Sequence, residues 1–199
     1  HVIDEIKSEA DESLRQISGI DSDTFEKTST AIRTRGFWLG TNLLTALIAA
    51  SVINIFKETL EQVIFLAVLM PIIASMGGVA ATQTLTITVR GLALGQIVRA
   101  NYLYIFNREL MVGISNGLIW AVILSLIACS WFQDWLLAWV ICLSMIINLI
   151  AGVLSGMGFP ILLYGLKLDP AVAGSVIVTT VTDVIGFFSF LGLATYFYS

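Results

Sequence analysis

Long apolar runs without charge alternate with short polar segments along the chain. The first run covers residues 37–56, and as a helix it would extend about 30 Å, which matches the hydrocarbon thickness of a bilayer. Four more runs of comparable length follow, over residues 63–89, 110–132, 135–165 and 170 to the chain end. The pattern therefore predicts an all-α polytopic membrane protein with five transmembrane helices.

The second run differs from the others in its polar content. Pro71 and the pair Gly77-Gly78 interrupt it, and hydroxyl and amide side chains fill its second half. We expect a kinked or broken helix whose polar half faces protein or water rather than lipid. Residues 96–107 come next, mix apolar with polar side chains, and are expected to lie along the membrane surface.

Residues 1–35 are the stretch with a water-soluble pattern. Apolar residues recur there at steps of three and four among acidic ones, which is typical of an amphipathic helix. The acidic face and the lack of an apolar core argue against a signal peptide. We therefore divide the chain into a cytosolic connecting, plug-like helix over residues 1–35 and a five-helix transmembrane domain over residues 36–199.

The composition supports a membrane protein and excludes several other classes. Hydrophobic residues make up 57% of the chain and charged residues 12%, against roughly 25% charged in soluble domains. Ten basic residues face 14 acidic ones with no dense basic cluster, which argues against nucleic acid as a partner. A single histidine and two cysteines, Cys129 and Cys142, do not suffice for a zinc site.

The basic residues predict the orientation in the membrane. If the N-terminus is cytoplasmic, nine of them lie inside and only Lys57 lies outside, which fits the positive-inside rule and places the C-terminus outside. The inside set is Lys7, Arg15, Lys27, Arg33, Arg35, Arg90, Arg99, Arg108 and Lys167.

Asp183 is the charged residue that falls well inside a predicted span. It lies 13 residues after Pro170, about 20 Å along the helix and thus near the middle of the membrane. A carboxylate there costs several kcal/mol unless it faces water, a cation or a partner, so we interpret it as part of an ion or substrate path. Helical spacing puts three hydroxyl side chains and one glycine on the same face as Asp183. They are Ser175, Thr179, Thr182 and Gly186.

Two other interpretations of Asp183 are weighed against this one. The aspartate could be protonated or hydrogen-bonded in a purely structural role. An aspartyl protease would need a second intramembrane acid, which this chain lacks unless a second copy supplies it, and we expect no enzyme activity.

Further polar and small residues lie on the third and fourth spans. Asn116 lies on the third span, and the fourth carries a stripe at four-residue steps, formed by Ser144, Asn148, Gly152 and Gly156. Such a small-residue stripe lets helices approach closely. Helix packing is favoured over pore lining as its role.

Four segments together resemble the transmembrane domain of the MgtE family of magnesium transporters. They are residues 76–84, 89–93, 168–171 and, most specifically, 179–186, which read Thr-Thr-Val-Thr-Asp-Val-Ile-Gly. The sequence departs from the family pattern at Val79 and Thr82, where asparagines are usual, and at Ser175-Val176, where Asn-Pro is frequent. These departures bear on ion selectivity more than on the fold.

The resemblance implies a homodimer in the lipid bilayer, in a bacterial plasma membrane, with a cation pore along the subunit interface. The second and fifth helices would line that pore, including Gly77, Gly78 and Gln83, and the pore aspartate would be Asp183. Because Mg²⁺ keeps several waters in an octahedral shell, we expect two Asp183 carboxylates to hold a largely hydrated ion, with Thr179 accepting hydrogen bonds from its waters.

The family also implies a regulatory role for Mg²⁺ at the cytoplasmic face. Acidic residues at the positions of Glu12 and Asp169 bridge the connecting helix to the pore end through bound Mg²⁺ and hold the pore shut. A solvated acidic face is the alternative. Family members carry cytosolic magnesium-sensing domains that nothing in this chain matches, so it is either a pore module cut from a longer protein or a relative without the sensor.

Other functions stay open on the sequence alone. A proton- or sodium-coupled cation carrier also needs only one intramembrane carboxylate. A non-transporting assembly module, in which Asp183 merely fixes helix pairing, is the alternative from another class. Carboxylate and hydroxyl ligands suit several hard cations, so the choice among Mg²⁺, Mn²⁺, Ca²⁺ and Co²⁺ also stays open.

Overall fold

The computed structural model describes residues 27–166 and 170–198, with side chains from 174 onward in the second range. This part of the chain is helical, without strands. The helices are α1 (Thr28–Ile55), α2 (Lys57–Gln62), α3 (Phe65–Ala93), α4 (Tyr102–Phe132), α5 (Trp135–Gly165) and α6 (Pro170–Tyr198). All except the short α2 are long and apolar enough to cross a membrane. The predicted all-α fold with five spans is confirmed.

The beginning of α1 bears on the predicted domain boundary. The helix starts at Thr28 and continues without interruption to Ile55, so it passes through the boundary placed at residue 36. The amphipathic helix predicted for the N-terminal segment falls largely on residues 1–26, which lie outside the described residues. The division into a connecting helix and a transmembrane domain therefore stays a prediction.

The second span is one continuous helix rather than a broken one. α3 runs from Phe65 to Ala93 with Pro71 inside it. Proline removes the hydrogen bond to the carbonyl four residues earlier, here that of Ala67, but the bonds on either side can carry the helix past it. Of the two expected forms of this span, the broken helix is wrong, and the kink at Pro71 stays a prediction.

The segment between the second and third spans is also corrected. Gly95, with φ of 66°, begins a turn in which Asn101 accepts a hydrogen bond from the Val98 N–H at 2.8 Å and donates one to the Gln96 carbonyl at 2.7 Å. α4 then starts at Tyr102. Residues 102–107 are thus the first turns of a long spanning helix, so the surface segment predicted over 96–107 is wrong for these residues and stays a prediction for 96–101.

α5 is the central helix of the bundle. It packs against α3, α4 and α6, whereas α1 contacts mainly α6 and is otherwise largely exposed. Large buried side chains fill the end of the bundle where α3 and α5 begin and α4 and α6 end. The main members of this apolar cluster are Leu66, Leu69, Ile73, Leu137, Ile141, Phe190 and Leu191.

Small residues let α5 and α3 pack backbone to backbone. A Cβ atom placed on Gly152 would lie 2.9 Å from the Gly77 carbonyl oxygen, and one on Gly156 would lie 2.5 Å from that of Ala81. The two contacts follow each other in the same direction along both helices, so α3 and α5 run parallel. The predicted packing role of the small-residue stripe on the fourth span is confirmed, and this close approach sets the spacing around the candidate site.

Candidate functional site

Asp183 is an isolated acidic group in the middle part of α6. Its side chain is half-buried, and α6 continues for two turns or more on either side of it. Among the described residues no hydrogen bond or ion pair reaches its carboxylate. A carboxylate without a partner at this depth requires water, a cation or another protein chain.

Threonine hydroxyls next to Asp183 are oriented by their own helix. The Thr179 hydroxyl donates to the Ser175 carbonyl at 2.8 Å, and the Thr182 hydroxyl donates to the Thr179 carbonyl at 2.9 Å. A hydroxyl has one proton and two lone pairs. Because these protons are used inside α6, the Thr179 oxygen is left to accept a hydrogen bond from a neighbouring molecule.

An open groove of about 600 Å³ runs along the outer side of α3 next to α6. Four of its lining residues carry polar side chains, Ser75, Thr82, Gln83 and Thr86 on α3, and Thr179 contributes a fifth from α6. The Thr82 and Thr86 hydroxyls each donate to the carbonyl four residues earlier at 2.8 Å. A polar row on the outside of a spanning helix is costly against hydrocarbon, so this face needs protein or water against it.

The structure divides the residues predicted to line a pore into two groups. Gly78, Gln83 and Thr179 border the groove, and Ser175 lies one helical turn from Thr179, half-buried. Gly77, Thr182 and Gly186 are buried between helices of the same chain instead. Within one chain, these three lie behind the groove wall rather than on it.

The adjacent glycines of α3 face two different helices. A Cβ atom on Gly77 would lie 2.2 Å from the amide nitrogen of Asn148 on α5. A Cβ atom on Gly78 would have its nearest neighbours at 3.9 and 4.0 Å, on Thr179 and Thr182 of α6. Successive helical residues are rotated by about 100°, so the glycine pair lets α3 lie in the angle between α5 and α6.

Asn116 lies in a separate place. It borders a cavity of about 330 Å³ between α3, α4 and α5, together with Trp120 and the far side of Gln83. The structure therefore brings Asn116 near Gln83 but not among the residues that line the groove.

Glu109 is a buried acid that the sequence analysis missed. It is only 4% exposed, and its nearest opposite charge is the exposed Arg108 guanidinium at 3.8 Å. A third span that begins at residue 110 leaves Glu109 outside the membrane, whereas α4 begins at Tyr102. The spacing of the residues does indicate that Glu109 is buried. Glu109, Gly113 and Gly117 follow each other at steps of four, so they lie on the same face of the helix, and that face is buried.

The described residues contain no group of three or more His, Cys, Asp or Glu side chains that could enclose a metal ion. Glu12 and Asp169, predicted as regulatory metal ligands, lie outside those residues. Within the described span α6, what the arrangement offers a cation is the Asp183 carboxylate, with the Thr179 hydroxyl oxygen one turn away. That suits an ion which keeps most of its water.

Comparison with known proteins agrees with this architecture. The family profile described as "MgtE: Divalent cation transporter" matches residues 70–193, a stretch that includes α4, α5, most of α3 and Asp183. A family of transporters also agrees with the prediction that the chain is not an enzyme.

Three relatives are each named magnesium transporter MgtE. The one from Bacillus subtilis is 33% identical over 198 residues, which is 98% of this chain and 44% of that protein. The relatives from Enterococcus faecalis and Thermus thermophilus are 27% and 28% identical, over 98% and 97% of this chain and 44% of each protein. The chain thus spans less than half the length of the relatives it matches. It belongs to the MgtE family of divalent cation transporters.

Proposed function

We propose that this chain is the transmembrane part of a magnesium transporter and that Mg²⁺ crosses the membrane between two copies of it. The observation that carries the proposal is the unpartnered Asp183, one helical turn after Thr179, which borders the groove along α3. The relatives' names, which specify magnesium, support the choice of ion.

The groove gives the reason for proposing a second copy. Asp183 follows Thr179 by four residues, so both lie on one side of α6, and Thr179 borders the groove. A two-fold axis along this face would set groove against groove and Asp183 against its counterpart. The polar row of α3 would then line a path between the copies instead of facing lipid.

The chemistry of Mg²⁺ fits such a path. The ion holds its waters tightly and accepts few protein ligands, commonly one or two carboxylates. Two Asp183 side chains supply that number, and the hydroxyl oxygens can accept hydrogen bonds from the waters. Without a cation the two carboxylates repel each other, so the ion also stabilises the closed arrangement of the two copies.

Neutralising Asp183 tests the pore assignment. In proteoliposomes we expect Asp183→Asn to lower Mg²⁺ flux at least tenfold. Glu61→Gln is the matched control, because Glu61 is an exposed acid paired with Lys57 on the short α2, and its flux should equal that of the parent. Undiminished flux through Asp183→Asn would overturn the assignment. Flux that follows an imposed proton or sodium gradient would instead identify a coupled carrier.

Cysteine cross-linking tests the dimer independently of transport. Both native cysteines are free and would be replaced by serine. Val79→Cys, exposed on the groove, should then cross-link two copies with a short bis-maleimide. Leu126→Cys, exposed on α4, is the control that should stay monomeric on a denaturing gel. Equal cross-linking at both positions would contradict the proposed interface.

We also propose that the N-terminus is cytoplasmic and that Mg²⁺ held between Glu12 and Asp169 closes the pore. High Mg²⁺ should then protect the first 20 or so residues from protease and lower conductance, because a divalent ion between two carboxylates removes their repulsion. The pair Glu12→Gln and Asp169→Asn should lose both effects. Protection that does not depend on Mg²⁺ in the parent chain would remove this gating proposal and leave the role of Asp183 untouched.

A further inference from the structure

Asn148 is a polar side chain buried at the junction of three helices. It lies on α5 and is 1% exposed. Its amide nitrogen donates a hydrogen bond of 2.8 Å to the Ile73 carbonyl of α3. Its amide oxygen is buried without a partner. A polar atom buried without a partner destabilises the fold, so the packing here calls for a reason beyond stability.

The amide group of Asn148 separates two bare stretches of backbone. A Cβ atom on Gly77 of α3 would lie 2.2 Å from its amide nitrogen, and one on Gly186 of α6 would lie 2.7 Å from the same atom. Both distances are too short for a real contact, so a side chain at either glycine would have to displace the Asn148 amide. The side chain therefore acts as a spacer between α3 and α6 at the level of Gly77 and Gly186, beside the direct contact of the two helices at Gly78.

The spacer lies close to the pore aspartate along the chain. Gly186 follows Asp183 by three residues, less than one helical turn or about 4.5 Å along the axis. The hydrogen bond to Ile73 fixes the amide on the α3 side, while Gly186 rests on its other side without a bond. A change in this contact would therefore act on the part of α6 that carries Asp183.

We infer that Asn148 is a positioning residue for Asp183, setting the height and rotation of α6 at the proposed ion site. The inference rests on the proposed function. Asn148 itself is not a ligand, because it is 1% exposed and does not line the groove. Its effect on the ion is transmitted through Gly186 and the helix.

The test compares the Mg²⁺ concentration that gives half-maximal flux in proteoliposomes. This concentration does not depend on how much protein is folded, so a purely structural role would leave it unchanged. We expect Asn148→Ala, which removes the spacer, and Gly186→Ala, which presses a methyl group against it, each to change the concentration at least fivefold. The double variant should return to within about twofold of the parent, because the added methyl group occupies part of the vacated space.

Ser144→Ala is the matched control. Ser144 is equally buried on α5 one turn earlier, but its hydroxyl donates only within its own helix, to the Ile141 carbonyl at 3.1 Å. The Mg²⁺ concentration that gives half-maximal flux should be the same in Ser144→Ala as in the parent. If Gly186→Ala fails to fold, Asn148→Ala decides the question, since it introduces no clash.

Asp183→Asn in the same assay separates the two proposals. If it abolishes flux while Asn148→Ala leaves the half-maximal concentration within twofold, the positioning role is wrong and the pore assignment stands. If Asp183→Asn leaves flux intact, the proposed function fails, and with it the positioning role. A Ser144→Ala change as large as that of Asn148→Ala would also overturn the positioning role.

Discussion

The backbone of Gly156 lies directly against the carbonyl oxygen of Ala81, where a Cβ atom would approach to 2.5 Å. Neither backbone can yield without separating α5 from α3. We expect Gly156→Ala to lower the free energy of unfolding by about 1–3 kcal/mol, the range for overpacked cores, measured by thermal unfolding in detergent. Gly158→Ala is the control, because Gly158 has nothing within 4 Å and should not lose stability.

The neighbouring glycines Gly77 and Gly78 should respond differently to the same substitution. Gly77→Ala drives a methyl group into the amide of Asn148, whereas Gly78→Ala meets only ordinary contacts near 4 Å. Thermal unfolding should therefore show a loss for Gly77→Ala and a melting temperature close to that of the parent for Gly78→Ala. Equal losses at the two positions would mean that α3 does not lie between α5 and α6 as described.

Asp134 connects the beginning of α5 to the end of α6. One carboxylate oxygen accepts hydrogen bonds from the backbone N–H groups of Leu136 and Leu137, and the other accepts from the Tyr198 hydroxyl. Asp134→Ala removes both interactions. It should lower the free energy of unfolding by about 1 kcal/mol for the helix cap and by about 1 kcal/mol more for the interhelical bond.

Tyr198→Phe provides the comparison for Asp134, because it removes the interhelical bond and keeps the cap. Chemical denaturation should place it between the parent and Asp134→Ala. If Tyr198→Phe were as unstable as Asp134→Ala, the cap would contribute nothing.

Glu109 is a buried acid whose nearest opposite charge is the exposed Arg108. Glutamine keeps the shape of the side chain, and Arg108 stays in contact with water, so the substitution leaves no buried charge without a partner. We expect Glu109→Gln not to lower the free energy of unfolding and to leave Mg²⁺ flux unchanged. Lost flux in a stably folded Glu109→Gln protein would contradict this and show that the charge takes part in transport.

The sequence is sufficient to predict the five spans, because the hydrophobic thickness of a bilayer determines how many apolar residues a helix needs to cross it. It also located Asp183, since a charge in an apolar run stands out. The identity of each helix's neighbours was harder to predict. Thr182 and Thr179 are three residues apart with the same chemistry, yet Thr182 is buried against α3 and Thr179 borders the groove.

The pattern of apolar and polar residues also predicts the wrong start for α4. The polar residues around Asn101 suggested a surface segment, but the Asn101 side chain ends a turn and the next residue starts the spanning helix. Because the predicted span starts after Glu109, the pattern does not predict that Glu109 is buried. Side-chain hydrogen bonds to the backbone act over a few residues, so periodicity averaged over a longer window does not register them.

The threonines of the groove have a consequence for the sign of the charge that can pass. The hydroxyl protons of Thr82, Thr86 and Thr179 are all used by carbonyl groups of their own helices, so toward a neighbouring molecule these oxygens can act only as acceptors. The water around a cation directs its hydrogens away from the ion, and the water around an anion does the reverse. In the proposed pore these oxygens would therefore suit the outer surface of a hydrated cation and repel that of a hydrated anion, before any carboxylate is reached.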